Sequence, residues 1–189
     1  MNSLIDTSVF ISICFVIIAY EWHMMRKKKS YYFLGFLFLI FSFVTIYELR
    51  FANYIIGKDY TWLLIILIVC VATDVGGYIF GKIFKGPKLT KISPNKTYAG
   101  MFGGYILSLI ALSFSFQYFK LELSIEWLFF TLLVSSVSQL GDIIISYFKR
   151  LSKIKDTGKI IPGHGGLLDR ADGIIFAIPV SYILFKFLI

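Results

Sequence analysis

Long runs of apolar residues alternate with short polar segments along this chain. Each run has about 17 to 24 residues, and a helix of that length, rising about 1.5 Å per residue, crosses a hydrocarbon core of about 30 Å. The pattern predicts an all-α fold class, that of a polytopic integral membrane protein. We expect about six transmembrane helices, at roughly Leu4–Trp22, Tyr31–Tyr47, Thr61–Phe84, Tyr98–Tyr118, Glu126–Phe148 and Ala171–Leu188.

The composition agrees with this class. Of the 189 residues, 58% are hydrophobic and 16% are charged, and the formal net charge is +8. A soluble domain is nearer to half apolar and a quarter charged. The basic residues lie between the apolar runs, which favours membrane topology and contact with anionic lipids, and predicts no nucleic-acid partner. Cys14 and Cys70 lie inside apolar runs, so we expect them to be packing residues.

Basic residues alternate between successive loops. The five gaps between the predicted helices hold 4, 2, 5, 1 and 6 of them, when Lys82 near the end of the third predicted helix is counted with the third gap. Because loops rich in Lys and Arg stay in the cytoplasm, the first, third and fifth loops are expected there and both termini outside. We expect a protein of the cell inner membrane, in which residues 1–60 form N-terminal helices and residues 61–189 form a core with two basic cytoplasmic loops.

Polar residues follow one face of the fifth predicted helix at steps of three or four. Asp142 lies seven residues from Lys149, which places it about 10 Å deeper if Lys149 marks the interface. A carboxylate at that depth is costly unless it is paired, hydrated or bound to a metal. Asp142 could belong to an ion pair between helices or to a water-filled recess that holds a cation. Because Asp142 lies close to the charged loop that follows this helix, we favour the recess. This face carries Ser135, Ser138, Gln139, Asp142, Ser146 and Lys149.

The third predicted helix carries a second intramembrane carboxylate, Asp74. Structural hydrogen bonding and site chemistry both remain open for it. Gly77 and Gly81 are four residues apart, as are Gly100 and Gly104 in the next helix. Small residues at this spacing allow helix backbones to approach closely, so we expect these glycines to serve packing.

Two loops carry side chains suited to phosphate. Residues 85–97 include Lys88, Lys91 and Lys96 with Ser93 and Thr97. Ammonium and hydroxyl groups bind phosphate, although an ordinary cytoplasmic loop has a similar composition. The stretch KDTGKIIPGHGGLLDRADG, residues 155–173, gathers both charge signs and several glycines, which is more than a connecting loop requires.

The second loop favours a site for metal-bound polyphosphate. Gly165 and Gly166 would let the backbone approach a phosphate. Asp169 and Asp172 bracket Arg170 where the last helix begins, and carboxylates together with a polyphosphate commonly hold Mg²⁺. His164 is considered as a general base or, preferably, as a hydrogen-bond donor to phosphate. Positive charge for the phosphates comes from Lys149, Arg150, Lys153, Lys155 and Arg170.

Residues 146–172, SYFKRLSKIKDTGKIIPGHGGLLDRAD, closely resemble the signature of the phosphatidate cytidylyltransferase (CDP-diacylglycerol synthase) family. That signature reads S-x-x-K-R, four residues, K-D-x-G, then P-x-H-G-G-x-x-D-R-x-D. The segments DVGGYIFGKIF and ISPNKTYAGMFGG are similar to two further family segments, with Gly77 where Ala is commoner. The resemblance covers about residues 70–180, whereas residues 1–60 match weakly.

The resemblance implies an all-helical membrane enzyme, commonly dimeric, with a polar funnel open to the cytoplasm and the bilayer. The implied reaction converts phosphatidate and CTP into CDP-diacylglycerol and pyrophosphate. Mg²⁺ would be held by Asp142 and Asp169, with Asp172 and Asp74 as weaker candidates and room for a second cation. The implied phosphate ligands are Lys149, Arg150, Lys155, His164 and Arg170. The implied nucleotide contacts are Ser93, Lys96, Thr97, Gly165 and Gly166.

A non-catalytic relative of the family is one alternative, although every charged signature position is intact. Two further alternatives remain. Another CTP-using membrane transferase, such as a polyprenol kinase or an archaeol cytidylyltransferase, would share the loop chemistry. A small ion or anion transporter could line its pathway with Asp74 and Asp142, but it would not require a glycine-flanked H-G-G-x-x-D-R segment.

Overall fold

The computed structural model describes residues 2–25, 29–55, 61–90, 92–93, 95–163 and 165–188, and the described residues form six helices without a named strand. This confirms the all-α prediction. Two isolated bridges, Lys88 with Thr97 and Ile161 with Gly165, tighten the third and fifth loops. The helices are α1 (Asn2–Met24), α2 (Lys29–Ile55), α3 (Thr61–Phe84), α4 (Tyr98–Tyr118), α5 (Ile125–Leu151) and α6 (Leu168–Leu188).

Five of these helices contain segments long and apolar enough to cross a membrane, so the chain is a multi-pass membrane protein. The segments are Thr7–Met24, Tyr31–Arg50, Thr61–Phe84, Tyr98–Tyr118 and Ile125–Leu151. Helix α2 extends beyond Tyr47, the residue at which the sequence predicts its end. Leu49 and Arg50 are both buried, so packing against the bundle continues the helix beyond the apolar run.

Helix α6 is 21 residues long but begins with charged residues, and its described part does not meet the same test of length and apolarity. It packs against α1, α2, α3 and α5. Ile175, Ala177 and Ile178 are buried at these contacts. Because protein rather than lipid covers much of its surface, α6 can carry polar residues that a lipid-exposed helix could not.

Glycines allow α3 and α4 to lie in close contact. A Cβ atom at Gly100 would lie 2.6 Å from the carbonyl oxygen of Gly77 and 3.4 Å from the Cα of Gly81. A Cβ atom at Gly104 would lie 3.0 Å from the carbonyl oxygen of Thr73. The expectation that glycines serve helix packing is therefore confirmed for Gly100 and Gly104, whereas a Cβ atom at Gly77 would lie 3.7 Å from its nearest neighbour. Cys14 and Cys70 are free thiols, and Cys70 is fully buried.

Side-chain contacts bring three polar segments to one end of the bundle. Ser152, after α5, donates a hydrogen bond of 2.6 Å to the carbonyl oxygen of Met25, after α1. Lys96, before α4, forms an ion pair with Asp142 of α5. The end of α1, the α3–α4 loop and the α5–α6 loop thus lie together, which is the arrangement that the alternation of basic residues requires.

Candidate active site

A polar cavity of about 430 Å³ opens at this end of the bundle, between α3, α4, α5, the start of α6 and the two loops. It brings together most of the side chains that the sequence singles out, although they come from four separate parts of the chain. The predicted site residues that line it are Asp74, Ser93, Lys96, Thr97, Asp142, Lys149, Asp169, Arg170 and Asp172.

The α3–α4 loop is shaped by backbone hydrogen bonds and by a helix cap. The N–H of Leu89 donates to the carbonyl oxygen of Lys96 at 2.7 Å, and the N–H of Ser93 donates to Thr90 Oγ1 at 3.1 Å. Thr97 is the N-cap of α4, and its Oγ1 accepts from the N–H of Gly100 at 3.1 Å. This cap satisfies one of the free N–H groups of the first turn. The loop therefore holds Lys96 at the cavity wall.

Asp142 is the point at which the α3–α4 loop meets α5. One carboxylate oxygen pairs with Lys96 Nζ, and the other accepts a hydrogen bond of 3.3 Å from Ser146 Oγ. The side chain of Asp142 keeps 29% of its surface exposed, so it is open to the polar cavity. The sequence-based choice of a polar recess over a dry interhelical pair is thus supported by the geometry, although an ion pair is also present.

Asp169 is held more tightly than Asp142. Its Oδ1 pairs with Lys149 Nζ at 2.8 Å, and both side chains are nearly buried, at 8% and 11% exposed. Its Oδ2 accepts from the N–H groups of Thr157 at 2.8 Å and Gly166 at 2.9 Å. Burial raises the pKa of the Asp169 carboxyl, but the hydrogen bonds from Lys149, Gly166 and Thr157 outweigh it and hold the pKa below its usual value. Asp169 is therefore ionised at neutral pH.

Two further carboxyl groups complete the acidic side of the cavity. Asp172 is buried, its Oδ1 accepts from the N–H of Gly173 at 2.9 Å, and it lies within hydrogen-bonding range of the Asp142 carboxylate. Asp74 lies within electrostatic range of Asp142 and Arg170. Within the described ranges, no three His, Cys, Asp or Glu side chains form a group arranged to hold a metal ion. Lysines instead compensate Asp142 and Asp169, and backbone N–H groups donate to Asp169 and Asp172.

Some predicted residues do not line the cavity. Arg150 is exposed and its Nη1 donates at 3.3 Å to the carbonyl oxygen of Ile154. Lys155 is also exposed. Gly165 has a φ of +86°, and a Cβ atom there would lie 2.7 Å from Asp169 Oδ2. Gly165 thus allows the loop to close on Asp169, a use that the sequence pattern did not reveal. Lys91 and His164 lie outside the described residues.

Other residues at this end were not predicted as site residues. Asn95 and Asp156 line the cavity, and Glu21 of α1 is buried directly behind the α5–α6 loop. Asn95 has no distinguishing pattern in the sequence, whereas Asp156 belongs to the K-D-x-G part of the signature but was assigned no role. Glu21 has a distinguishing pattern, because it is a carboxylate inside the first apolar run and carries the same desolvation cost that drew attention to Asp142.

Comparison with known proteins identifies relatives along nearly the whole chain. A model described as "Cytidylyltransferase family" matches residues 2–188. A phosphatidate cytidylyltransferase of Staphylococcus epidermidis is 34% identical over 184 residues, which is 92% of this chain and 67% of the relative. The corresponding proteins of Staphylococcus saprophyticus and Staphylococcus aureus are each 35% identical; the first match covers 92% of this chain and 67% of the relative, and the second covers 95% and 69%.

The family match includes the N-terminal helices as well as the segment that carries the signature. The resemblance seen in residues 146–172 is therefore confirmed by independent comparison over most of the sequence. With a cavity that joins the signature segments and relatives that align along its length, this chain belongs to the cytidylyltransferase family.

Proposed function

We propose that this chain transfers CMP from CTP to phosphatidate, giving CDP-diacylglycerol and pyrophosphate in phospholipid biosynthesis. Family membership supports nucleotidyl transfer, and the names of the relatives support CTP and phosphatidate as substrates. The observation that carries the proposal is a single cavity in a membrane-spanning bundle, lined by basic and acidic side chains together. These are Lys96, Lys149 and Arg170 with Asp74, Asp142, Asp169 and Asp172.

The reaction does not need a residue that transfers protons. An oxygen of the phosphatidate phosphate attacks the α-phosphorus of CTP, the bond from that phosphorus to the bridging oxygen breaks, and pyrophosphate leaves with the electron pair. The attacking phosphate is already an anion at neutral pH, so no general base is required. The protein must instead bring two anions together and stabilise the charge on the leaving group.

Basic residues of the cavity perform the first of these tasks. Lys149 and Arg170, at the end of α5 and the start of α6, bind phosphate oxygens. Ser93, Lys96 and Thr97, in the α3–α4 loop, contact the nucleotide, so the two substrates approach from different loops. Arg150 and Lys155 lie outside the cavity and contribute positive charge near its entrance, and Gly165 and Gly166 act through the shape of the loop.

The donor chemistry of the acidic wall fits magnesium. Mg²⁺ prefers carboxylate and phosphate oxygens, and the cavity offers carboxylates from α3, α5 and α6. We assign the main ligands to Asp142 and Asp169, with Asp172 and Asp74, which line the same cavity, as weaker candidates and with room for a second cation. When bound, the metal neutralises phosphate charge and stabilises the leaving pyrophosphate.

The two main proposed metal ligands already have lysine counterions. Lys96 neutralises Asp142 and Lys149 neutralises Asp169. Each lysine would have to leave its carboxylate to bind a substrate phosphate.

In the proposed topology, the chain lies in the inner membrane and its cavity opens on the cytoplasmic side, where CTP is found. The basic residues concentrated in the loops at this end support that orientation. Membrane lipids surround the helices, and we extend the proposal to a homodimer, the usual state of the family. Light scattering on the purified protein in detergent, corrected for bound detergent, would test the dimer.

The decisive experiment combines the purified protein with phosphatidate, CTP and MgCl₂ and measures CDP-diacylglycerol. Chelation of magnesium is expected to stop the reaction. Parallel reactions with diacylglycerol, polyprenol and an archaeol phosphate distinguish a different lipid transferase or kinase. Product from one of these lipids and none from phosphatidate would refute the assignment, and ion flux in liposomes independent of CTP would favour a transporter.

A further inference from the structure

Glu21 of α1 is a buried carboxylate that the transfer reaction does not explain. It is 1% exposed and lies within the apolar segment Thr7–Met24. A carboxylate in such a position is destabilising unless strong hydrogen bonds compensate its charge. Neither of the two ion pairs found in the described part of the chain includes Glu21. Its compensation must therefore come from other donors.

Those donors belong to the α5–α6 loop and to the first turn of α6. Glu21 Oε1 accepts from the N–H of Leu167 at 2.9 Å. Glu21 Oε2 accepts from the N–H of Leu168 at 2.8 Å and from Thr157 Oγ1 at 2.9 Å. The first N–H groups of a helix have no partner within the helix, and the helix dipole favours an anion there. A residue of α1 thus caps α6, which is 147 residues further along the chain.

The same short loop also holds Asp169. Thr157 donates its hydroxyl to Glu21 and its N–H to Asp169 Oδ2. Gly166 donates its N–H to Asp169, and the next two N–H groups, of Leu167 and Leu168, go to Glu21. The two carboxylates therefore divide consecutive donors of one loop between them. A shift of the loop away from Glu21 would also displace the donors that hold Asp169.

Glycines make the approach of Glu21 possible. A Cβ atom at Gly158 would lie 2.7 Å from Glu21 Oε1, and one at Gly166 would lie 2.5 Å from Glu21 Oε2. The end of α1 is itself fixed against α5, since Trp22 packs edge-on against Phe148 with ring centroids 5.3 Å apart. The carboxylate is thus presented to the loop from a rigid element.

We propose that Glu21 is a positioning residue for the active site. It fixes the α5–α6 loop and the first turn of α6, and thereby holds Asp169, Arg170 and Asp172 toward the cavity. This assigns α1, which lies outside the signature segments, a direct part in building the site. The role in turnover rests on the proposed function, whereas the role in ordering the loop does not.

The test compares Glu21→Gln with the wild type in detergent, by limited trypsin digestion and by kinetics. Glutamine keeps the volume but replaces one acceptor oxygen with an NH₂ group that faces a donor. Lys155 and Lys159 are exposed in the loop, so cleavage after them reports loop opening. We expect this cleavage to be about tenfold faster in the variant, because local opening becomes easier.

The kinetic result should separate positioning from binding. The kcat is expected to fall about tenfold to a hundredfold, as misplacement of reacting groups does. The KM for CTP should change less, since Ser93, Lys96 and Thr97 are in the other loop. Thr157→Val removes only the hydroxyl that donates to Glu21. It should change the cleavage rate and kcat as Glu21→Gln does, but each by a smaller factor. Thr157→Val also tests the proposal if Glu21→Gln does not fold.

Ser42→Ala is the matched control. Ser42 Oγ is buried and donates to the carbonyl oxygen of Ile175 at 2.7 Å, so it links α2 to α6 away from the loop. We expect it to lower the melting temperature while leaving loop cleavage and kcat within about twofold of the wild type. If Glu21→Gln behaves like this control, Glu21 is merely structural and the proposal is overturned. A wild type without CTP-dependent activity would refute the proposed function, while the cleavage rates would still test Glu21.

Discussion

Lys96, in the loop between α3 and α4, forms an ion pair with Asp142 in the middle of the signature-bearing half of the chain. The contact joins the α3–α4 loop, a phosphate-binding candidate in the sequence, to the polar face of α5. It also places a lysine that we propose to bind substrate directly beside an aspartate that we propose to bind metal. The cavity therefore has paired charges of both signs in place, and substrate binding would rearrange these pairs.

Neutralising the acidic member of either pair should abolish turnover. We expect Asp142→Asn and Asp169→Asn each to lower kcat by about a hundredfold or more, because the amide keeps the shape but cannot neutralise a divalent cation. CDP-diacylglycerol formation measures the effect, and thermal unfolding in detergent checks the fold. Glu126→Gln is the control, since Glu126 lies in the first turn of α5, at the opposite end from Asp142. Near-normal rates from either asparagine variant would contradict the metal assignment.

The Lys149–Asp169 pair should also contribute to stability, because both side chains are nearly buried. We expect Lys149→Met or Asp169→Asn alone to lower the free energy of unfolding by about 3 kcal/mol, since each leaves one buried partner without its counterpart. The double variant should lose about 1 to 3 kcal/mol less than the sum of the single variants. Unfolding in mixed micelles with increasing SDS measures these differences. Strictly additive losses would show that the two charges do not interact.

The sequence predicts the helices well because membrane helices are defined by long apolar runs, which are local properties. It predicts the boundaries less well where burial inside the protein takes over. Helix α2 continues to Ile55 beyond its apolar run, and α6 carries charged residues in its first turns because protein covers much of it. Both departures depend on tertiary contacts, which a single helical segment does not encode.

The site shows the same division between local and distant information. The spacing of Asp142 and Lys149 on one helix face could be predicted from the helical period, and both line the cavity. The partner of each charge could not be predicted, because the pairing of Lys96 with Asp142 depends on how the α3–α4 loop folds against α5. A glycine pattern likewise does not tell whether the freed N–H groups bind a ligand or, as with Gly166, the protein's own Asp169.

Two adjacent glycines in α3 should respond differently to alanine. A Cβ atom at Gly76 would lie 2.4 Å from the carbonyl oxygen of Gly103 in α4, whereas one at Gly77 would lie 3.7 Å from its nearest neighbour, the carbonyl oxygen of Gly100. We expect Gly76→Ala to destabilise the protein by about 1 to 3 kcal/mol, because α3 and α4 must separate. Gly77→Ala should stay within about 0.5 kcal/mol of the wild type, consistent with alanine being common there in the family. Melting temperatures in detergent test the pair, and equal losses would contradict the close contact.

Lys120 occupies a position where glycine should be more stable. It follows the C-cap of α4 with a φ of +53°, and the N–H of Lys120 and of Leu121 donate to the carbonyl oxygens of Gln117 and Phe116 at 3.3 and 2.9 Å. This is the Schellman arrangement, in which the left-handed residue is usually glycine. We expect Lys120→Gly to raise the free energy of unfolding by about 1 kcal/mol, since it removes the clash of a Cβ atom in the left-handed region. Lys120→Ala keeps the Cβ atom and loses only the charge, so it should show no gain. Because the loop lies at the end of the bundle opposite the cavity, kcat should stay unchanged in both variants. Thermal unfolding measures the stability of each variant. An equal gain in the free energy of unfolding from alanine would assign the effect to charge instead of backbone conformation.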